Sequence, residues 1–365
     1  MPAATRSRRW WRAPPRSANF RMRFPIPKAA RCSAAALSLA VSACATAEVA
    51  APAPPPEIPR IVTLARTDDF SIVNVRPGVT FADLAEDFLG DAALGDYIAA
   101  VNGMAAPKAG QPVIVPLRAV NGSGVSIDGY QTVPILCYHR FTEERSTDQM
   151  VMPRASFAQQ MEYLKNNNYR VISLAELEGF LAASRPIPPR AVVITVDDGF
   201  RSAYDIAYPI LKEYGFHATF FIYTDFIGPR LALDWAAINE MRASGIVDIQ
   251  SHSKTHTSFS AAPGEDPAGA QYAARLTAEV DQPQRIFERQ LGAPVRYLAY
   301  PYGDTSRRAV QLLGQRGFAL ALTVERGANP SFGNPFVLRR EMIFGDATLA
   351  DFEKSLRVFT PADLK

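Results

Sequence analysis

Two groups of side chains in this sequence are able to do chemistry together. Asp197-Asp198-Gly199 sets two carboxylates side by side, and His252-Ser253-Lys254-Thr255-His256 sets two imidazoles four residues apart. Each group follows a short stretch that reads as a strand, the apolar Ala191–Val196 before the aspartates and Val247–Gln250 before the histidines. His139 likewise follows the run Pro134–Tyr138, and Pro301-Tyr302-Gly303 follows Arg296–Tyr300. Taken singly, Asp-Asp-Gly suits an ordinary turn and His-x-x-x-His suits a solvated pair. Gathered at one end of one sheet, two imidazoles and a carboxylate make an open three-ligand site for zinc or a similar ion. A second carboxylate beside such an ion can take a proton from water, whose pKa the ion lowers from 15.7 towards ~7 in good zinc sites. The implied chemistry is hydrolysis of an amide or ester.

Positioning these groups requires strands that end at one face. From Gln131 onward apolar runs alternate with amphipathic stretches. Strands are predicted at Pro134–Tyr138, Ala191–Val196, Ala218–Tyr223, Val247–Gln250, Tyr297–Tyr300, Leu320–Val324 and Val337–Ile343. Helices are predicted at Ser156–Asn167, Ala175–Ala183, Ala203–Tyr214, Trp235–Ala243, Ala273–Leu291 and Arg307–Arg316. Such alternation predicts an α/β fold with a parallel sheet or barrel, and α/β barrels carry their chemistry at the carboxyl ends of the strands. His217, in Gly215-Phe216-His217-Ala218, precedes a strand and is placed at the opposite face.

The motifs Thr195-Val196-Asp197-Asp198-Gly199, His252-Ser253-Lys254-Thr255-His256 and Tyr300-Pro301-Tyr302-Gly303 resemble, in order and spacing, those of the polysaccharide deacetylase family, the NodB-homology domain of carbohydrate esterase family 4. The resemblance covers about residues 131–358 and implies a distorted (β/α) barrel. It makes Asp197 the general base, and Asp198, His252 and His256 the ligands of a divalent metal ion, most simply zinc. The backbone N–H of Tyr302 would face the oxyanion, a contribution typically of ~3–4 kcal/mol. Two departures stand out. Ala299 occupies a position where many members have the Arg that orients the catalytic Asp, and no histidine follows His256 to serve as the usual general acid. His139 is the candidate for that role, with a structural hydrogen bond as the alternative. The aromatic-Pro-Tyr-Gly form, Leu233-Asp234-Trp235 and Leu338-Arg339-Arg340 are similar to the exopolysaccharide (poly-N-acetylglucosamine) deacetylase branch. Trp235, Tyr300 and Pro301 are candidates to line the sugar groove, with core packing as the alternative for Trp235.

The chain of 365 residues is long enough for one large and one small domain. Its net charge of +3 is unevenly spread, because residues 1–43 hold nine Lys and Arg and no acid. Setting those nine aside from the 39 basic residues leaves 30 against 36 acidic, so the body has no basic surface that would argue for nucleic acid. The basic block precedes the apolar run Ala34–Val41, the order of a secretory signal. Val41-Ser42-Ala43-Cys44 resembles a bacterial lipobox, which makes Cys44 a lipid anchor and predicts a periplasmic outer-membrane lipoprotein. The expected organisation is a signal peptide over 1–43, an Ala/Pro-rich tether over 44–71, a small domain over 72–117, a linker over 118–130 and the deacetylase domain over 131–365. Of the three cysteines only Cys137 then remains free, and it reads as a small buried hydrophobe.

The small domain is predicted as strand Ile72–Val75, a helix after Thr80, a second helix Ala93–Val101 and strand Val113–Pro116. This βααβ unit resembles a LysM domain, through Val75-x-x-Gly78, Phe81-x-x-Leu84-Ala85, Asn102 and Gly110-Gln111. The resemblance implies a cell-wall glycan of N-acetylglucosamine as a second partner beside the N-acetylated polysaccharide substrate. The implied function is metal-dependent removal of N-acetyl groups from such a polysaccharide, with a non-catalytic glycan-binding lipoprotein as the alternative.

Overall fold

The computed structural model describes residues 59–117, 121–228 and 230–362. Signal segment, lipobox Cys44 and Ala/Pro-rich stretch up to Ile58 lie outside the described residues.

The small unit comprises strands β1 (Ile61–Arg66), β2 (Phe70–Val75) and β3 (Val113–Pro116), with helices α1 (Phe81–Leu89) and α2 (Gly95–Asn102) between β2 and β3. Thr80 starts α1 through a reciprocal capping box with Asp83, which satisfies two otherwise orphaned donors. Val73, Val75, Val113 and Val115 alternate inward to meet Phe81, Leu84 and Ile98. Asn102 ties α2 to β3, its side chain accepting from Ile114 N–H and donating to the Ile114 carbonyl. The βααβ order matches expectation, but β1 is a correction. Residues read as tether form a strand antiparallel to β2. Only Ile61 of β1 is even half-buried, so the strand lacks the alternating apolar pattern that would announce it.

The large unit is a curled sheet built on six parallel strands, β4 (Gly129–Tyr138), β5 (Ala191–Val196), β6 (Ala218–Ile222), β7 (Val247–Ser251), β8 (Tyr297–Ala299) and β9 (Leu320–Leu322). They lie side by side in chain order, so their carboxyl ends share one face. A short strand, β10 (Ala328–Pro330), runs antiparallel on the outer side of β4. The segment after it touches both margins of the curl, Leu338 bridging Leu322 of β9 and β11 (Glu341–Met342) pairing with Leu136 and Cys137 of β4. It was expected as the continuous strand Val337–Ile343. Serving two margins at once breaks it into a bridge and a two-residue strand, and turns Arg340 inward between them.

Strand alternation sorts the core. Leu136, Tyr138, Val192, Ile194, Val196, Phe220, Ile222 and Ile249 face the helices α3 (Arg154–Asn166), α5 (Tyr208–Tyr214), α6 (Trp235–Ala243) and α7 (Ala270–Leu291). Val133, Ile135, Val193, Phe221 and Tyr297 face the other way, where α4 (Leu174–Leu181) adds Leu174, Leu177 and Phe180. Each such buried side chain contributes ~1.5–3 kcal/mol. The same alternation continues through Cys137 to His139 and through Thr195 to Asp197, which sets both site residues on the inner side.

Candidate active site

Each site residue sits one step past a strand end or in the loop that follows. Asp197 follows β5, its N–H bonded to the Tyr138 carbonyl at 2.9 Å. Asp198 takes a left-handed backbone (φ 76°), which turns its carboxylate away from its neighbour's. His252 follows β7 and donates its N–H to the Ile222 carbonyl at 3.0 Å. Its Nδ1 lies 2.7 Å from the Ala299 carbonyl. Since a carbonyl only accepts, Nδ1 carries the proton and Nε2 is left with a free lone pair. His256, also left-handed (φ 63°), donates its N–H to Ser253 Oγ at 3.1 Å.

These residues converge on one point. Asp198 Oδ1 stands 3.5 Å from His252 Nε2 and 3.3 Å from His256 Nε2. Tetrahedral zinc with bonds of ~2.0–2.1 Å sets its donors ~3.3–3.4 Å apart, so the spacing and the N, N, O donor set fit a divalent ion. Burial would raise the Asp198 carboxyl pKa, but the facing imidazoles of His252 and His256 overcome it and hold the group far below the usual carboxylate range.

Asp197 is held differently. Arg340, fully buried, donates Nη1 to Oδ1 at 2.8 Å and Nη2 to Oδ2 at 2.7 Å, and its Nε donates to the Thr323 carbonyl at 2.8 Å. Burial again pushes the carboxyl up, but Arg340 and then His252 outweigh it, so Asp197 stays ionised below the usual range. Cys137 adds a weak S–H donor 3.7 Å from Asp197 Oδ2, and burial raises its thiol pKa well above the ordinary value. It is thus a thiol and not a nucleophile. Sequence reasoning noted Arg340 only within Leu338-Arg339-Arg340 and missed its role. The one available signal was a charged residue inside a run predicted as a buried strand.

A cavity of about 450 Å³ opens over the cluster, lined by His139, Asp197, Asp198, His252, His256 and Tyr302 among others. A ring nitrogen of His139 comes within 4.8 Å of the Asp197 carboxylate. Burial lowers its pKa, against the pull of both aspartates. Tyr302 has a left-handed backbone (φ 61°, ψ 5°) and a ring 64% exposed at the rim, edge-on to His256. The turn depends on Gly303 (φ 73°), where a Cβ would stand 2.5 Å from Val324 N.

The residues expected to contact sugar fall in different surroundings. Trp235 is half-buried on α6 and packs edge-on against Phe287, away from the cavity. Pro301 is buried beneath the rim and does not line the cavity. Tyr300 reaches the cavity wall, but its side chain is buried against Phe259 and its hydroxyl donates to the Phe336 carbonyl at 3.0 Å. Aromatic spacing alone could not distinguish groove from core, because both reward large rings. His217 lies in a separate cavity with Asp248 and Glu176, at the amino ends of the strands as expected.

Residues 184–321 match the family described as Polysaccharide deacetylase. The chain is 27% identical over 208 residues to Bacillus subtilis (strain 168) YxkH, covering 57% of this chain and 70% of that protein. It is 23% identical over 256 residues to the poly-beta-1,6-N-acetyl-D-glucosamine N-deacetylase of Escherichia coli (strain K12), covering 60% of this chain but only 38% of that protein. Among solved structures, that of IcaB from Ammonifex degensii superposes with a TM-score of 0.55 at 25% identity, covering 62% of this chain and 97% of that one. His139 and Arg340 lie outside the family match, one on each side of it. Fold, motif order and family match agree in their likeness to the polysaccharide deacetylases.

Proposed function

We propose that this protein is a metal-dependent N-deacetylase of a polysaccharide of N-acetylhexosamine, with poly-N-acetylglucosamine favoured over peptidoglycan. The observation that carries the reading is the division of labour between adjacent aspartates, one gripped by Arg340 and one facing two histidines. The names of the E. coli and Staphylococcus epidermidis relatives, both poly-beta-1,6-N-acetyl-D-glucosamine N-deacetylases, support the choice of glycan.

In this reading Asp198, His252 and His256 hold a divalent ion, most simply zinc. When bound, it would supply Lewis acidity and lower the pKa of nearby water. Asp197 takes the proton of the attacking water, and Arg340 keeps that carboxylate ionised and aimed. The Tyr302 N–H faces the oxygen that gains charge. His139 is near enough to Asp197 to relay the proton toward the leaving nitrogen. The non-catalytic alternative drew support from the absent Arg at Ala299 and from the lack of a histidine after His256. Arg340 answers the first point, since it grips Asp197 from another strand margin.

The small unit is proposed as a LysM-like module that holds a glycan of N-acetylglucosamine near the site. Cys44 is proposed as a lipid anchor at the outer membrane, facing the periplasm. Acetate release from poly-N-acetylglucosamine and from peptidoglycan, each with and without a chelator, tests the function. Chelator-sensitive release from the first glycan is expected. Binding of either glycan with metal present, but no acetate from either, would leave the non-catalytic reading standing.

A further inference from the structure

The loop between the two site histidines is under local strain. Ser253 (φ 75°) and His256 (φ 63°) both adopt the left-handed conformation, which costs L-residues ~1–2 kcal/mol each. Such a loop holds one shape only if its surroundings over-determine it. Part of that constraint comes from the turn after β6, because Thr224 N–H donates to the Ser253 carbonyl at 3.2 Å and Asp225 N–H to the Lys254 carbonyl at 2.9 Å. These bonds fix the loop's outward carbonyls. They leave its inward N–H groups to be satisfied by something else.

Glu279 on α7 satisfies them. Its side chain is buried, and one oxygen, Oε2, accepts both the Lys254 N–H at 3.0 Å and the Thr255 N–H at 2.9 Å. The other oxygen, Oε1, accepts the Thr255 hydroxyl at 2.7 Å. Glu279 lies among the core-facing residues Leu276, Val280 and Pro283 of the same helix, where an apolar side chain would pack without the cost of burying a charge. Its three partners all belong to the consecutive residues Lys254 and Thr255, which lie between the two histidines. Packing does not call for a carboxylate at this position, whereas holding the loop does.

We propose that Glu279 is a positioning residue that fixes the loop so that His252 and His256 present Nε2 to a common ion. The inference rests on the reading of those histidines as metal ligands. Groups that orient metal ligands typically change metal affinity by about 10- to 100-fold when removed. Glu279→Ala deletes all three bonds. Glu279→Gln keeps the shape and one good acceptor but loses the charge-assisted strength.

The test is metal affinity, measured on the full chain by zinc competition with a chromophoric chelator and by the absorption bands of the cobalt(II) form. The expected order is wild type tightest, Glu279→Gln several-fold weaker and Glu279→Ala about 10- to 100-fold weaker, with altered cobalt bands in both variants. A residue that only supported the fold would lower melting temperature without this graded loss. Should Glu279→Ala fail to fold, Glu279→Gln decides alone. Wild-type affinity and bands in the folded variants would overturn the proposal while leaving the metal reading intact. A wild type that binds neither zinc nor cobalt would overturn both.

Discussion

The guanidinium of Arg340 closes on both carboxylate oxygens of Asp197, and both side chains are buried. Such a fork fixes direction as well as charge. Arg340→Leu leaves an unpaired buried carboxylate, so the protein should lose about 3–5 kcal/mol of stability. Arg340→Lys keeps a charge without the fork. It should lose less stability, yet still lose ~10²-fold in deacetylation rate through misplacement of Asp197. Denaturant titration beside initial rates of acetate release separates the two effects. A Lys variant with wild-type rate would show that charge alone suffices.

Tyr300 ties the loop after β8 to the chain at Phe336. Its hydroxyl is neutral when it donates that bond, and burial pushes its pKa up to about 12. An acid whose folded pKa lies above its unfolded value of about 10 favours folding while neutral. That stability is fully present below about pH 10 and is lost as the pH rises toward 12. Tyr300→Phe should cost about 1 kcal/mol at neutral pH and should flatten the alkaline fall in stability. Tyr138 is also buried and raised, so some alkaline loss should persist. Urea midpoints from pH 8 to 12 measure the difference, and identical slopes in variant and wild type would contradict it.

How much of this was legible depended on how local each signal is. The run before Asp197 was readable because parallel strands buried on both faces are nearly continuous in apolar residues, as Ala191–Val196 is. The aspartates and histidines were readable because each group is contiguous in the chain. Arg340 was not, since its partner is 143 residues away and its own segment follows no single period. Glu279 was hidden for a similar reason, because a Glu in a long amphipathic helix looks like a solvated position until the loop above it is seen. β1 escaped because Ile61–Arg66 buries almost nothing and follows a Pro-rich stretch.

Cys44 provides a test that is independent of the catalytic site. If its thiol is acylated, the protein should fractionate with membranes, and Cys44→Ser should move it to the soluble fraction without changing deacetylation of a soluble oligosaccharide. No helix among the described residues is long and apolar enough to cross a membrane, so they supply no helical span to retain the variant. Persistent membrane association of Cys44→Ser would contradict the anchor.

Asp197 and Asp198 are adjacent in sequence but face different partners, and this gives the sharpest prediction. Asp197 meets Arg340, while Asp198 meets the imidazoles of His252 and His256. Removing a base takes away proton transfer, typically ~10²–10⁴-fold in rate, and leaves ligands in place. Removing a ligand empties or distorts the site itself. Asp197→Asn should therefore retain stoichiometric metal and bind glycan, yet release acetate ~10²–10⁴-fold more slowly. Asp198→Asn should lose both metal and activity, and adding excess zinc should restore little. His256→Ala should behave like Asp198→Asn, because it removes another donor of the same triangle. Elemental analysis and acetate release on the three variants make the comparison. Stoichiometric metal in His256→Ala, or metal lost from Asp197→Asn but kept by Asp198→Asn, would reverse the roles drawn from this geometry.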